Sequence, residues 1–321
     1  MPLTATYKRT SATQITADIY LPSPSTSPCP VLINIHGGAF MLGDSRMVSI
    51  PQVNDCLSCG WVVVAPNHRL CPQVNIRDGP LRDVRDCLEW IYSDDGLDRF
   101  LRESEEGKAY AVDKEKVMAF GTSSGGMLAC GLGYDVPRPP RAILNFYGAV
   151  HFTHPCWTQP IPAIKSKLPR NLTPSFLEQV YTQEPIPTSS NVSLEGQTET
   201  GQSAGPDFSR PRDAFAFTQI ANGAVIQACC PDPEVRREID PVLNVTKEFP
   251  PTFVAHGLED KMVSIEVSRE LVRVLKEAGV ECGMVEVPGE GHTFAMAMEV
   301  GGRTWELQRK GFDFLERVIC S

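Results

Sequence analysis

Short apolar runs alternate along this chain with longer stretches of helical periodicity. Val31-Leu32-Ile33-Asn34-Ile35 and Trp61-Val62-Val63-Val64-Ala65 are nearly continuous, as strands buried on both faces are. Val117–Phe120, Arg141–Tyr147, Thr252–His256 and Glu281–Val287 continue the series, and the alternation at Thr16–Tyr20 predicts one or two edge strands within Thr4–Leu21. Helices are predicted over Gln52–Cys59, Pro80–Tyr92, Ser264–Ala278 and Gly302–Ile319. In the second of these, Leu81, Val84, Leu88 and Ile91 share one face, with Arg82, Asp83, Arg85, Asp86 and Glu89 between them. Residues 151–248 break the rhythm. They are rich in Pro, Ser, Thr and Gln, with short helix-like pieces at Ser175–Thr182 and Asp213–Asn222. Their most polar part, 184–212, is expected to be mobile. The pattern predicts a doubly wound, mostly parallel α/β sheet with helices on both faces. Residues 1–150 and 249–321 build it, and 151–248 are inserted as a cap. Such sheets take ligands at the carboxyl ends of their strands.

Composition narrows the partners. A 321-residue chain that is 42% hydrophobic can bury a sizeable core. The net charge is −9 and no block of Lys or Arg stands out, so neither nucleic acid nor an anionic membrane is an expected partner. No apolar run is long enough for a membrane span, and Met1–Tyr20 has no signal-peptide core; a cytosolic protein is expected. The 11 cysteines are odd in number and scattered, a pattern that favours reduced thiols. Cys56-Leu-Ser-Cys59 has no second pair at metal spacing and reads as helix packing. No metal or organic cofactor is implied.

The chemistry centres on Gly121-Thr122-Ser123-Ser124-Gly125-Gly126, between an apolar run and the small-residue segment Met127–Leu132. Strand, G-x-S-x-G, helix is the context of a nucleophile elbow, which would present Ser123 as nucleophile and the Ser124 N–H as an oxyanion donor. The hexapeptide alone reads equally well as a Gly/Ser loop. A serine also needs a base, and His292 in Gly289-Glu-Gly-His-Thr-Phe294 follows the last strand. The base needs an acid to fix its tautomer. Asp260 follows the Thr252–His256 strand, with Glu259 as its competitor. His256 ends that strand and reads as structural. Two glycines after His36, Gly37 and Gly38, can turn backbone N–H groups toward the same oxyanion. The chain order Ser, Asp, His is that of the α/β-hydrolases.

These residues resemble the hormone-sensitive-lipase-like branch of the α/β-hydrolase fold, which includes arylacetamide deacetylases and is similar to kynurenine formamidases. The resemblance runs over nearly the whole chain. It is carried by His36-Gly-Gly-Ala-Phe40, Arg69-Leu-Cys-Pro72, the Pro80–Trp90 helix with Asp83, Gly121–Gly126, Asp260 and His292. It implies a cap over the site and oxyanion donors from Gly37, Gly38 and Ser124. Two departures stand out: Ala39 occupies the place of a third glycine, and Asn67-His-Arg-Leu-Cys-Pro-Gln73 replaces the more common Asp-Tyr-Arg-Leu-Ala-Pro-Glu. The variant segment and long polar insertion look like hydrolases of fungal secondary-metabolite pathways, which implies a polyketide-derived ester or thioester.

The expectation is a serine hydrolase cleaving a carboxyl ester, or a thioester or amide, of a small to medium apolar acyl substrate. Two rivals stay open: a non-hydrolytic catalyst of cyclisation or acyl transfer in the same pocket, and a ligand-binding protein on a hydrolase fold. In the inserted segment Phe152, Trp157, Ile161, Phe176, Leu177, Phe215 and Phe217 exceed what a solvated linker needs. Some of these side chains are expected to wall the pocket.

Overall fold

A computed structural model describes residues 1–190, 192, 205–296 and 298–321. Much of the polar 184–212 stretch therefore lies outside the described residues. The strands are β1 (Leu3–Arg9), β2 (Gln14–Tyr20), β3 (Cys29–Ile35), β4 (Val62–Pro66), β5 (Val112–Thr122), β6 (Ala142–Phe146), β7 (Thr252–Gly257) and β8 (Cys282–Val287). They form one sheet in the order β1-β2-β4-β3-β5-β6-β7-β8. β1 and β2 are antiparallel to their neighbours, and β4, β3 and β5 to β8 run parallel. The parallel run therefore brings the carboxyl ends of β3, β5, β6, β7 and β8 to one edge. Ile35 pairs with Gly121, Thr122 with Phe146, Phe146 with Ala255 and Gly257 with Val287.

The helices are α1 (Ile50–Ser58), α2 (Arg82–Tyr92), α3 (Leu97–Glu103), α4 (Ser124–Cys130), α5 (Pro162–Lys165), α6 (Pro174–Leu177), α7 (Pro211–Asn222), α8 (Val225–Cys229), α9 (Pro233–Ile239), α10 (Pro241–Asn244), α11 (Ile265–Glu277) and α12 (Arg303–Cys320). The sheet divides the core in two, as strand alternation requires. Leu32, Val63, Met118, Phe120 and Leu144 pack under α1 and α12, against Val53, Phe312 and Leu315. Val31, Ile33, Val62 and Ala119 pack under α2, α4 and α11, against Val84, Leu88, Met127 and Leu271. Helix α2 begins later than its apolar periodicity implies, because Arg77–Leu81 first makes a wider π-type turn with Pro80 inside it. The charged stretch after α2 holds the short helix α3. Between β6 and β7 the described residues form short helices and turns and no strand. Buried Asp240 ties the start of this segment to its end, accepting from the N–H groups of His151 at 3.0 Å and Phe152 at 2.7 Å.

Candidate active site

Strand β5 passes directly into α4 through Ser123, whose backbone sits at φ 52°, ψ −121°. This conformation is costly for a side-chain-bearing residue. It persists here because neighbours fix both of its peptide groups: Ser123 N–H donates to Phe146 O at 2.9 Å, and its carbonyl accepts from Ala149 N–H at 3.1 Å. The turn packs tightly against β3. A Cβ on Gly125 would lie 2.1 Å from the Ile35 carbonyl oxygen, so only glycine fits.

Ser123, His292 and Asp260 meet at the carboxyl edge of the sheet. Ser123 Oγ lies 2.9 Å from His292 Nε2, and His292 Nδ1 lies 2.6 Å from Asp260 Oδ2. Asp260 Oδ1 accepts from the N–H groups of Met262 at 2.8 Å and Val263 at 2.9 Å. The Asp260 side chain has no solvent exposure, which opposes its ionisation. The charge and hydrogen bond of His292, with the hydrogen bond from His256, outweigh that and hold its carboxyl well below the usual range. Tyr147, the buried residue after β6, packs its ring 4.7 Å from the imidazole of His292. Sequence reasoning missed Tyr147, which looks like one more apolar strand residue. Glu259, the competing acid, is exposed and lies 3.9 Å from Lys261.

The loop after β3 turns sharply. Gly38 has φ 104°, and a Cβ there would sit 2.3 Å from the Leu42 carbonyl oxygen. Its own carbonyl accepts from the N–H groups of Met41 and Leu42. Ala39 and Phe40 follow with φ 55° and 63°. The cavity above Ser123 holds about 650 Å³, counting its open mouth. Its floor includes Gly38, Ala39, Ser123, Ser124 and His292, but not Gly37. The Gly37 carbonyl takes a hydrogen bond from His36 Nδ1 at 2.8 Å. Among the described residues the backbone N–H groups of Gly37, Gly38 and Ala39 make no loop or turn hydrogen bond, and Ser124 opens α4, where a helix's first N–H groups have no intrahelical partner. Ser124 itself is fully buried.

The cavity wall comes largely from the inserted segment: Cys156, Trp157, Ile161, Ile220 and Val225 are apolar, and Gln159 is the polar exception there. Trp157 is held by two bonds from its indole Nε1, to Val150 O at 3.2 Å and His151 O at 3.0 Å. Phe215 does not line the cavity. It is buried and packs edge-on to Tyr181 at 5.6 Å, and Phe217 packs on Phe208.

Arg69-Leu-Cys-Pro72 serves the loop below. Asp83, fully buried, accepts from the Arg69 backbone N–H at 2.8 Å and from its guanidinium at 2.7 and 2.9 Å. The 11 cysteines are free, and no group of His, Cys, Asp and Glu among the described residues could hold a metal ion. No helix among them is long and apolar enough to cross a membrane.

Comparison with known proteins agrees with this architecture. Residues 17–138 match the BD-FAE family and residues 215–320 the prolyl oligopeptidase family. A protein of unknown function from Staphylococcus aureus superposes with a TM-score of 0.66 at 17% identity, over 96% of each chain. Esterase 2 of Thermogutta terrifontis, phosphoramylated by tabun, does so with a TM-score of 0.62 at 17% identity, over 99% of this chain and 94% of that one. The chain has the α/β-hydrolase fold. In sequence it is similar to the non-reducing polyketide synthases Preu6 of Preussia isomera, 31% identical over 97% of this chain, and ascC of Acremonium egyptiacum, 30% identical over 97%. It spans about 14% of the length of the first and 15% of the second.

Proposed function

We propose that this chain is a serine hydrolase that cleaves a carboxyl ester or thioester of a small to medium apolar acyl group. The observation that carries the reading is the unbroken hydrogen-bonded series Ser123–His292–Asp260 under an apolar cavity. Ser123 Oγ attacks the acyl carbonyl while His292 Nε2 takes its proton and then delivers it to the leaving group. Asp260 keeps the hydrogen on Nδ1 and stabilises the imidazolium. The N–H groups of Gly38, Ala39 and Ser124 receive the oxyanion. In this reading Ala39 takes the place first expected of Gly37, since an alanine N–H donates as well as a glycine's. Water then cleaves the acyl-enzyme. No step needs a metal or organic cofactor.

The similarity to segments of fungal polyketide synthases supports a polyketide-derived acyl group, and thioester as well as ester leaving groups. The same acyl-enzyme could pass its acyl group to a hydroxyl of the acyl chain itself, which is cyclisation. His36–Phe40 and Arg69–Pro72 support a finer kinship with the hormone-sensitive-lipase-like branch. A direct test is turnover of nitrophenyl esters and simple acyl thioesters by the intact chain and by Asp260→Asn and Glu259→Gln. Asp260→Asn should lower kcat by about 10⁴-fold, the scale set by losing tautomer control in a serine protease. Glu259→Gln should change little. The opposite ranking, or no turnover by the intact chain, counts against the reading.

A further inference from the structure

Asp260 serves two imidazoles. Its Oδ2 lies 2.6 Å from His292 Nδ1 and 3.2 Å from His256 Nε2. His256 stands near the carboxyl end of β7 and is fully buried. Among the described residues its Nε2 faces only acceptors, Asp260 Oδ2 and the Val263 carbonyl at 3.1 Å, so Nε2 carries a hydrogen. Its Nδ1 lies 2.7 Å from Ser268 Oγ on α11, also fully buried, and in the neutral ring it accepts from that hydroxyl. Donation therefore runs from Ser268 to His256 to Asp260. There it meets the donation from His292 on the same oxygen.

We propose that His256 is a positioning residue for the hydrolase reaction: it pins the Asp260 carboxylate beneath His292 and limits how strongly that carboxylate stabilises the His292 imidazolium. The inference rests on the serine-hydrolase reading. Met262 and Val263 hold Oδ1 and His256 holds Oδ2, so the carboxylate cannot turn away from His292. A donor on a carboxylate also lowers the oxygen's affinity for further protons. Removing the His256 donor leaves Oδ2 to His292 alone, so His292 becomes more basic and is neutral only at higher pH. A histidine that merely filled the end of β7 would need the Val263 carbonyl and Ser268 but not the acid.

The other titratable groups facing this pair are Cys156 from the turn Pro155–Thr158, Tyr147 after β6 and Glu286 on β8 with its partner Arg269 on α11, while Glu259 and Lys261 beside Asp260 are mostly exposed. Glu286 is paired with Arg269 at 2.8 Å, and Glu290 accepts from Thr304 at 2.5 Å. None replaces the His256 donor on Oδ2.

The pH profile of kcat/KM on a nitrophenyl ester separates positioning from packing. His256→Phe should move the acid limb upward by about half to one pH unit and lower kcat more than it raises KM. His256→Gln, whose amide can donate toward Oδ2, should bring the limb back toward the parent value. A uniform loss of rate with an unmoved limb, or identical Phe and Gln variants, overturns the proposal. If His256→Phe does not fold, Ser268→Ala takes its place: it frees the His256 tautomer and should move the limb the same way by less, and an unmoved limb there overturns the proposal too. Ser123→Ala is the control. If it retains activity, the hydrolase reading falls and takes this inference with it; if it is inactive, an unmoved limb overturns the inference alone.

Discussion

The guanidinium of Arg212 donates from Nη1 to the carbonyl of Cys71 at 2.6 Å. The same nitrogen reaches Met41 O at 3.0 Å, Nη2 reaches Gln73 Oε1 at 2.8 Å, and Nε reaches Gln183 Oε1 at 2.9 Å. Arg212 is buried on α7, in the inserted segment. Burial pushes its guanidinium down to about 10, so it stays charged at neutral pH. One side chain thus ties α7 to the loop carrying Gly38 and Ala39 and to the Arg69–Pro72 segment.

Arg212→Met removes these donors and leaves buried carbonyls unpaired. The expected cost is about 2–4 kcal/mol, less whatever the parent spends on burying the charge. Urea unfolding should show the lowered midpoint, and kcat should fall in the folded fraction. Arg212→Lys keeps the charge without the planar fork and should recover only part of the loss. An unchanged midpoint in Arg212→Met would show that these bonds do not hold the loop.

Trp157 and Phe215 should respond differently to truncation. Trp157 lines the cavity and is fixed by two carbonyls, whereas Phe215 is buried away from it. Trp157→Ala should shift preference toward longer acyl chains in a nitrophenyl ester series while sparing the acetate. Phe215→Ala should lower stability by about 3–5 kcal/mol with the chain-length preference kept. A parallel loss across the series in Trp157→Ala would mean that the indole only holds the segment together.

Acid should weaken the fold through two histidines in the loops after β3 and β4. His36 and His68 stack 4.5 Å apart at 10°. Each places Nδ1 on a neighbouring carbonyl, and among the described residues neither Nε2 has a partner. Burial lowers both, and His68, with His36 beside it, falls to about 3. Both pKa values are depressed relative to about 6.5 in the unfolded chain. Their contribution is therefore fully present above about pH 6.5 and is lost as pH falls toward the folded values. The urea midpoint should be flat above pH 7 and decline below it, by up to about 1.4 kcal/mol per pH unit for each histidine. His68→Phe should flatten the decline. Asp260, also depressed, adds its share only below about pH 3.8. A midpoint constant from pH 7 to 5 would contradict this.

Most of the strand and helix pattern was readable because buried parallel strands need unbroken apolar runs, and Val31–Ile35 and Val62–Ala65 supply them. The meeting of Ser123, Asp260 and His292 followed from loops after three parallel strands, β5, β7 and β8, of one sheet. What stayed hidden depends on backbone sign and long-range contact. The course of the loop after β3 turns on positive φ at Gly38, Ala39 and Phe40, which residue type alone does not fix. Arg212 sits in a polar stretch that reads as solvated, and its partners are 29 to 171 residues away. His256 reads as structural at the end of its strand, and its contact with Asp260 depends on the turn that follows, which the sequence alone does not show. Trp157 and Phe215 are indistinguishable by composition; the fold sends one to the cavity and the other inward.

Reaction with a fluorophosphonate, read by intact mass and peptide mapping, tests the central claim most directly. The account predicts a single adduct on the Ser123 Oγ, formed quickly in the parent chain and absent from a folded Ser123→Ala variant. It predicts none on Ser124, whose side chain is fully buried. An adduct elsewhere, labelling that survives Ser123→Ala, or no adduct on a folded parent chain would contradict it.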